Sequence, residues 1–294
     1  MRTTAIRISS GGQIELIVHF PQECHLLLSK IPFGTPTRAA AMHGLSLLMT
    51  LQSLDMSQRW KGISSSAFAP VVEDALRRGN QGDWPAITLN LDFKTEEPEH
   101  LAAVWALLNK YRDWLTTAGK SASERKVQAL DVKPLLVLTG ESDKQAKVFY
   151  DDVPIGQRLL VFGAVHTNTA DPMAAPEILE PGSASNYRRW WNNSWAVVER
   201  GGQTQAENWT REDELRLRSL VEHAHANGLW IRFYTLDGAT KEELSCHGWF
   251  RSYNFGSLSV AQQRWRAAQK VGVDFIASDQ YETLANFLKT LRQP

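Results

Sequence analysis

Three stretches of the chain place side chains capable of chemistry on strand-like or loop segments. "ITLNLDFKT" (87–95) carries Asp92 and Lys94 on alternate positions, and "LWIRFYTL" (229–236) carries Arg232 and Tyr234. "GWFRSYNFGS" (248–257) adds Arg251, Tyr253 and Asn254. Strand side chains alternate between faces, so Ile87, Leu89, Leu91 and Phe93 share one face while Thr88, Asn90, Asp92 and Lys94 share the other. A solvated edge strand would explain the polar face. The apolar face is continuous, however, and a helix pattern follows at once, which is how a buried parallel βα unit reads. An acid and a lysine facing into such a sheet are either a structural ion pair or part of a site, and a buried pair rarely stabilises on balance. Arg232 within a strand is costly to bury and calls for an anionic partner. A lysine and an arginine converging on one mouth suit an anion, most commonly a phosphate. An acid beside them can hold a divalent cation or orient a general base.

The elements that must position these residues follow a regular rhythm. Apolar strand candidates lie at 87–93, 134–139, 158–163, 195–199, 229–236 and 273–278. Amphipathic helices separate most of them. Leu101, Val104, Trp105 and Leu108 step by three and four after Pro98; Thr210 with Asp213 reads as a capping box, and Gly228 as a helix stop. Asp279 with Glu282 opens a last helix. The alternation predicts an α/β protein with a parallel sheet, and six such strands suit a TIM-type (β/α) barrel. In that fold the reacting groups stand at the carboxyl ends of the strands, which adds His166, Glu199 and Asp279 to the candidates. Each has a plain structural reading, as a loop histidine, a solvated strand end and a helix cap. No GxGxxG follows a first strand and no GxxxxGK[ST] occurs, which argues against the nucleotide-binding α/β folds. The first 65 residues read differently, as an irregular segment with a hairpin around "GGQIELIVHF" and a helix over 45–54. The barrel domain is expected over 66–294.

Bulk composition excludes several classes. Lys plus Arg equals Asp plus Glu at 32 each, so no basic field points to nucleic acid or an anionic membrane. No apolar run reaches transmembrane length. Cys24 and Cys246 have no metal-ligand or disulfide spacing. The first residues lack a signal-peptide h-region, so a cytoplasmic location is expected for the chain as it stands, and secretion if a signal lies upstream. The 11 Trp are expected mainly in the core.

"ITLNLDFKT" resembles the strand bearing an acid-x-Lys in the phospholipase C-like phosphodiesterases, the barrel superfamily of phosphatidylinositol phospholipases C and glycerophosphodiester phosphodiesterases. "LWIRFYTLDG" is similar to their seventh strand, and "GVDFIASDQYETLANFL" to their closing strand and helix. The resemblance spans roughly 65–291 and implies general acid–base cleavage of a phosphodiester by two histidines. Some members add a divalent metal, here Mg²⁺ or Ca²⁺, and others place an arginine there. Carried over, Asp92 is the third-strand acid and metal ligand, Lys94 its companion, and Arg232 and Tyr234 the pocket-facing residues. Asn254 joins them as substrate-binding. "GGQIELIVHF" resembles the hairpin that delivers the second histidine, which makes His19 catalytic, although Phe20 stands where an acid is common. Nothing before it matches the first strand, its histidine or the acidic second strand. The implied function is a phosphoric diester hydrolase-like barrel acting on a phospholipid head group or glycerophosphodiester, with little or no activity as given. A non-catalytic ligand-binding barrel is one alternative. A glycosidase-type barrel using Asp92 and Glu199 is another, requiring those carboxyls about 5–10 Å apart.

Overall fold

A computed structural model of the chain describes residues 6–9, 13–19, 25–31, 87–93, 95–133, 135–247 and 249–291. Lys94, Cys24, the helix expected over 45–54 and the expected boundary near residue 65 lie outside the described residues.

Among the described residues the strands are β1 (Ile6–Ser9), β2 (Gln13–His19), β3 (His25–Ile31), β4 (Ile87–Leu91), β5 (Thr117–Gly119), β6 (Leu130–Asp131), β7 (Leu135–Thr139), β8 (Arg158–Leu159), β9 (Phe162–Ala164), β10 (Arg188–Ser194), β11 (Trp230–Tyr234) and β12 (Phe275–Ile276). Nine of them form one sheet in the order β12-β11-β10-β9-β7-β4-β1-β2-β3, and β6-β5-β8 form a small second sheet. From β4 to β12 every neighbouring pair is parallel. This α/β arrangement is a curled, parallel, six-stranded half-barrel. Beyond β4 the sheet changes character. β1 lies parallel to β4 through Arg7↔Asn90, whereas β2 runs antiparallel to β1, to β3 and to β4. β3 comes up against β12 and the carboxyl-terminal helix.

The helices cover the outside. They are α1 (Pro98–Lys110), α2 (Asp143–Ala146), α3 (Pro176–Leu179), α4 (Arg211–Ala226), α5 (Lys241–His247), α6 (Leu258–Val271) and α7 (Tyr281–Thr290). Pro98 begins α1, where its missing N–H costs nothing. The Thr210–Asp213 capping box forms at the start of α4, and Gly228 takes a left-handed φ of 71° just past its end. Leu217, Leu220, Val221 and Ala224 of α4 are buried in one cluster with Ile231 and Phe233 of β11. Leu89 and Leu91 of β4 share a cluster with Leu101 and Leu108 of α1. These outward contacts turn Thr88 and Asn90 of β4, and Trp230, Arg232 and Tyr234 of β11, to the inner face. Trp190, Trp191, Trp195 and Trp265 are fully buried, as expected of core tryptophans.

Three strand boundaries differ from expectation. The segment 195–199 is not a strand: Trp195–Val197 is a 3₁₀ turn, and the strand is β10, seven residues earlier. "RRWWNNS" hides its strand nature because it is buried on both faces, so it shows no apolar–polar alternation, and asparagine and arginine are weak strand signals. The expected strand 158–163 splits, since β8 pairs with β5 in the small sheet while β9 pairs with β7 in the main one. The strand expected over 273–278 shortens to Phe275–Ile276, and Leu284 N–H donates to Gln280 O, so α7 begins beyond Asp279 rather than on it.

Candidate functional site

The carboxyl ends of the parallel strands gather polar side chains in an otherwise apolar interior. β10 and β11 lie in register as Trp190↔Trp230, Asn192↔Arg232 and Ser194↔Tyr234, and Arg232 is also level with Phe275 of β12. Inner-face side chains therefore stack in layers, as the parity of neighbouring parallel strands requires. The lowest layer is Trp190 and Trp230. The middle one is Asn192, Arg232 and Phe275, and the top one Ser194 and Tyr234. Arg232 is 2% exposed, an unusual position for a guanidinium. Its Nη1 donates to Asn192 Oδ1 at 2.8 Å, and its guanidinium carbon lies 5.6 Å from the centre of the Tyr234 ring. Tyr253 meets the Tyr234 ring edge-on at 5.9 Å. On β4, Asn90 is buried on the inner face and Asp92, just past the strand, is half-buried.

Behind this layer runs a buried network at the ends of β11 and β12. Asp237 Oδ1 accepts from Ser278 Oγ at 2.8 Å and from the Asp279 N–H at 2.7 Å. Gln280 Oε1 accepts from Gly238 N–H. Asn254 accepts from Ala239 N–H at 2.8 Å and donates to Ala239 O at 2.9 Å, so its amide latches one loop to another. Gln203 Nε2 donates to Thr235 O, bracing the backbone above Tyr234.

The sequence-level candidates separate into groups. Arg232 and Tyr234 share the inner face at adjacent levels, and Asp92 continues the inner face of β4. Asn254 serves the loop latch. His19 closes β2 in backbone register with His25 of β3. His166 is exposed on the rim, where Nε2 is 3.1 Å from Asp143 Oδ1; Arg188 donates to the same oxygen, and Thr167 N–H donates to Glu141. That set ties the segments after β7 and β9 to the first residue of β10. Glu199 is a correction. It is buried, accepting from Arg264 Nη2 at 2.5 Å, Arg264 Nε at 2.9 Å and Trp195 Nε1 at 2.6 Å, which leaves no role as a mouth carboxylate. Asn192 and Gln203 carry no signal in the sequence that marks them for this face, Asn192 because β10 shows no apolar–polar alternation.

Among the described residues no three His, Cys, Asp or Glu side chains come together so as to hold a metal ion. No described helix is long and apolar enough to cross a membrane. A cleft of about 320 Å³ lies elsewhere, between the carboxyl end of α1 and the start of β8 and lined by Trp105, Asn109, Arg112, Gln157, Arg158 and Leu160.

No protein-family model matches this chain, and no curated protein matches it by sequence. Among solved structures it is similar to a glycerophosphoryl diester phosphodiesterase from Parabacteroides distasonis, at 12% identity and a TM-score of 0.36, over 98% of this chain and 75% of that one.

Proposed function

We propose that the chain is a phosphodiesterase-like barrel of the TIM type whose mouth takes a phosphodiester, such as a glycerophosphodiester or a phospholipid head group. The observation that carries this reading is Arg232: a guanidinium 2% exposed inside a parallel half-barrel, near the carboxyl ends of its strands. Such a group is expensive to bury and suits a multivalent oxyanion, which a guanidinium meets with paired N–H donors. Tyr234 lies one level above and offers its ring edge and hydroxyl to the alcohol part of the ester. In this reading Asp92 and Lys94 take part in holding the phosphate and His19 moves a proton. No step is drawn through a metal ion. Cleavage needs a base on the nucleophile and an acid on the leaving oxygen, each contributing roughly 10²–10⁴-fold. Glu199 removes the carboxylate pair that a glycosidase would use, since both of its oxygens are taken up by Arg264 and Trp195.

The test is calorimetric binding and turnover of glycerophosphocholine and of an inositol phospholipid, with and without Mg²⁺ or Ca²⁺. Binding that disappears in Arg232→Met supports the reading. Binding without turnover makes this a ligand-binding barrel, and turnover lost in His19→Ala and Asp92→Asn makes it a hydrolase. Binding unchanged by Arg232→Met ends the reading.

A further inference from the structure

We propose that the cleft between α1 and β8 is a second ligand site, built for a small ring compound that carries a phosphate. It shares no residue with the mouth and does not depend on the reading above. Two short segments make it. Trp105, Asn109 and Arg112 recur at helical spacing along α1 and the 3₁₀ turn Arg112–Trp114 that follows it. Gln157, Arg158 and Leu160 line the other side, at and beside β8. β8 is held there by β5 through Ala118↔Leu159 and Gly119↔Arg158, so the small sheet outside the half-barrel supplies one wall. A volume of about 320 Å³ stands at the small end of ligand pockets and suits one ring with one charged group.

The lining sets the chemistry. Two guanidiniums line the cleft, and no aspartate or glutamate does. Arg158 gives Nη2 to Asp131 of β6, whereas the Arg112 side chain has no ion pair or hydrogen bond among the described residues. The side-chain amides of Asn109 and Gln157 and the Trp105 indole N–H likewise make no hydrogen bond there. Four polar side chains with unused hydrogen-bonding capacity thus meet in one concavity. The uncompensated charge of Arg112 favours an oxyanion, which a guanidinium meets with paired N–H donors. Trp105 is braced against Phe149, ring centres 6.2 Å apart, and with the buried Leu160 it gives the cleft an apolar surface. Each amide offers both a donor and an acceptor, which suits the hydroxyls or ring nitrogens of a polar ring. A sugar phosphate and a nucleoside monophosphate share this chemistry.

The experiment measures binding of ribose 5-phosphate, AMP and inorganic phosphate by calorimetry, with melting curves, for wild type, Arg112→Gln, Asn109→Ala and Arg232→Met. Arg112 and Asn109 are exposed, so their variants should fold and melt within about 2 °C of wild type. The expected result is that at least one ring compound binds wild type more tightly than inorganic phosphate. Arg112→Gln weakens that binding by at least about tenfold, Asn109→Ala weakens it less, and Arg232→Met leaves it unchanged. Ribose 5-phosphate binding as well as AMP assigns the site to sugar phosphates, and tighter AMP assigns it to nucleotides; both support the inference. No binding of either ring compound to wild type at millimolar concentration overturns it, as does binding unchanged in Arg112→Gln. Binding lost in Arg232→Met but kept in Arg112→Gln places the ligand at the mouth, which ends this inference and leaves the reading of the mouth standing. Inorganic phosphate binding as tightly as the ring compounds also overturns it, since the cleft then recognises no ring.

Discussion

Neutralising Glu199 tests whether it is a structural ion or a mouth carboxylate. Arg264 is fully buried, with Nη2 and Nε on the two oxygens of Glu199 and a further bond from Nη2 to Glu207 O at 2.7 Å. Its guanidinium carbon also lies 5.3 Å from the ring centres of both Trp209 and Phe255. Glu199→Gln keeps the shape and one acceptor but removes the charge, leaving a cation inside the protein. Breaking one partner of a buried pair costs about 3–5 kcal/mol. The Glu207 carbonyl and the two rings still serve the cation, which places the cost near the lower bound, at about 3 kcal/mol. At about 2–4 °C per kcal/mol for a chain of this size, the melting point drops by roughly 6–12 °C. Urea denaturation gives the free energy directly. The double variant Glu199→Leu/Arg264→Met should lose less than the sum of its single variants, with a coupling above about 2 kcal/mol. A Glu199→Gln protein as stable as wild type would refute the ion-pair reasoning, and loss of a glycoside hydrolase activity in it would return Glu199 to the mouth.

Glu180 and His225 make opposite contributions at neutral pH, and Gly163 tests packing. Burial raises the Glu180 carboxyl above its ordinary range, against the opposing Gly182 N–H and the charges of His223, His166 and Arg188. Its stabilising contribution is thus present only below the ordinary carboxyl value and is lost as pH rises through the folded one. Glu180→Gln, which keeps the Gly182 bond, should be more stable than wild type at about pH 7.5 and equal to it at about pH 4; equal urea midpoints at both would contradict this. His225 is raised by its 2.9 Å hydrogen bond to Asp274, against a lowering by desolvation. That stabilisation holds below the ordinary histidine value and fades as pH rises through the folded one, so His225→Gln should flatten part of the fall in stability between about pH 6 and 8. An unchanged slope counts against it. A Cβ on Gly163 would sit 2.5 Å from Tyr187 Cε1, on a buried ring stacked against Tyr150. Gly163→Ala should cost roughly 1–3 kcal/mol by denaturant titration, and an unchanged midpoint would show that the ring can yield.

Much of this architecture is legible in residue order. The parity of "ITLNLDFKT" and "LWIRFYTL" puts Asn90 and Arg232 on the inner face, and the helices beginning at Pro98 and Thr210 form where their caps require. Those segments are half-apolar or amphipathic, so their period betrays their orientation. β10 has no such period. Trp190 and Trp191 are both fully buried, one on each face, and a strand buried on both sides can be read only from propensity. By propensity "WAVVE" is the better strand, with two adjacent valines. Tertiary packing overrides it: Trp195 stacks on Trp209 at 6.1 Å and meets Phe233 and Phe255 edge-on, while its indole N–H donates to Glu199. A side chain held by three rings and an ion pair fixes a 3₁₀ turn that valine preference cannot undo. The displacement of one strand exchanged two residues. With the strand at 195–199, Glu199 stood at the mouth and Asn192 belonged to no element. With β10 at 188–194, Asn192 stands beside Arg232 at the mouth and Glu199 is enclosed with Arg264. The alternative pair of carboxylates, Asp92 with Glu199, loses one member to the Arg264 ion pair, and the inner face at that level carries a guanidinium hydrogen-bonded to an amide.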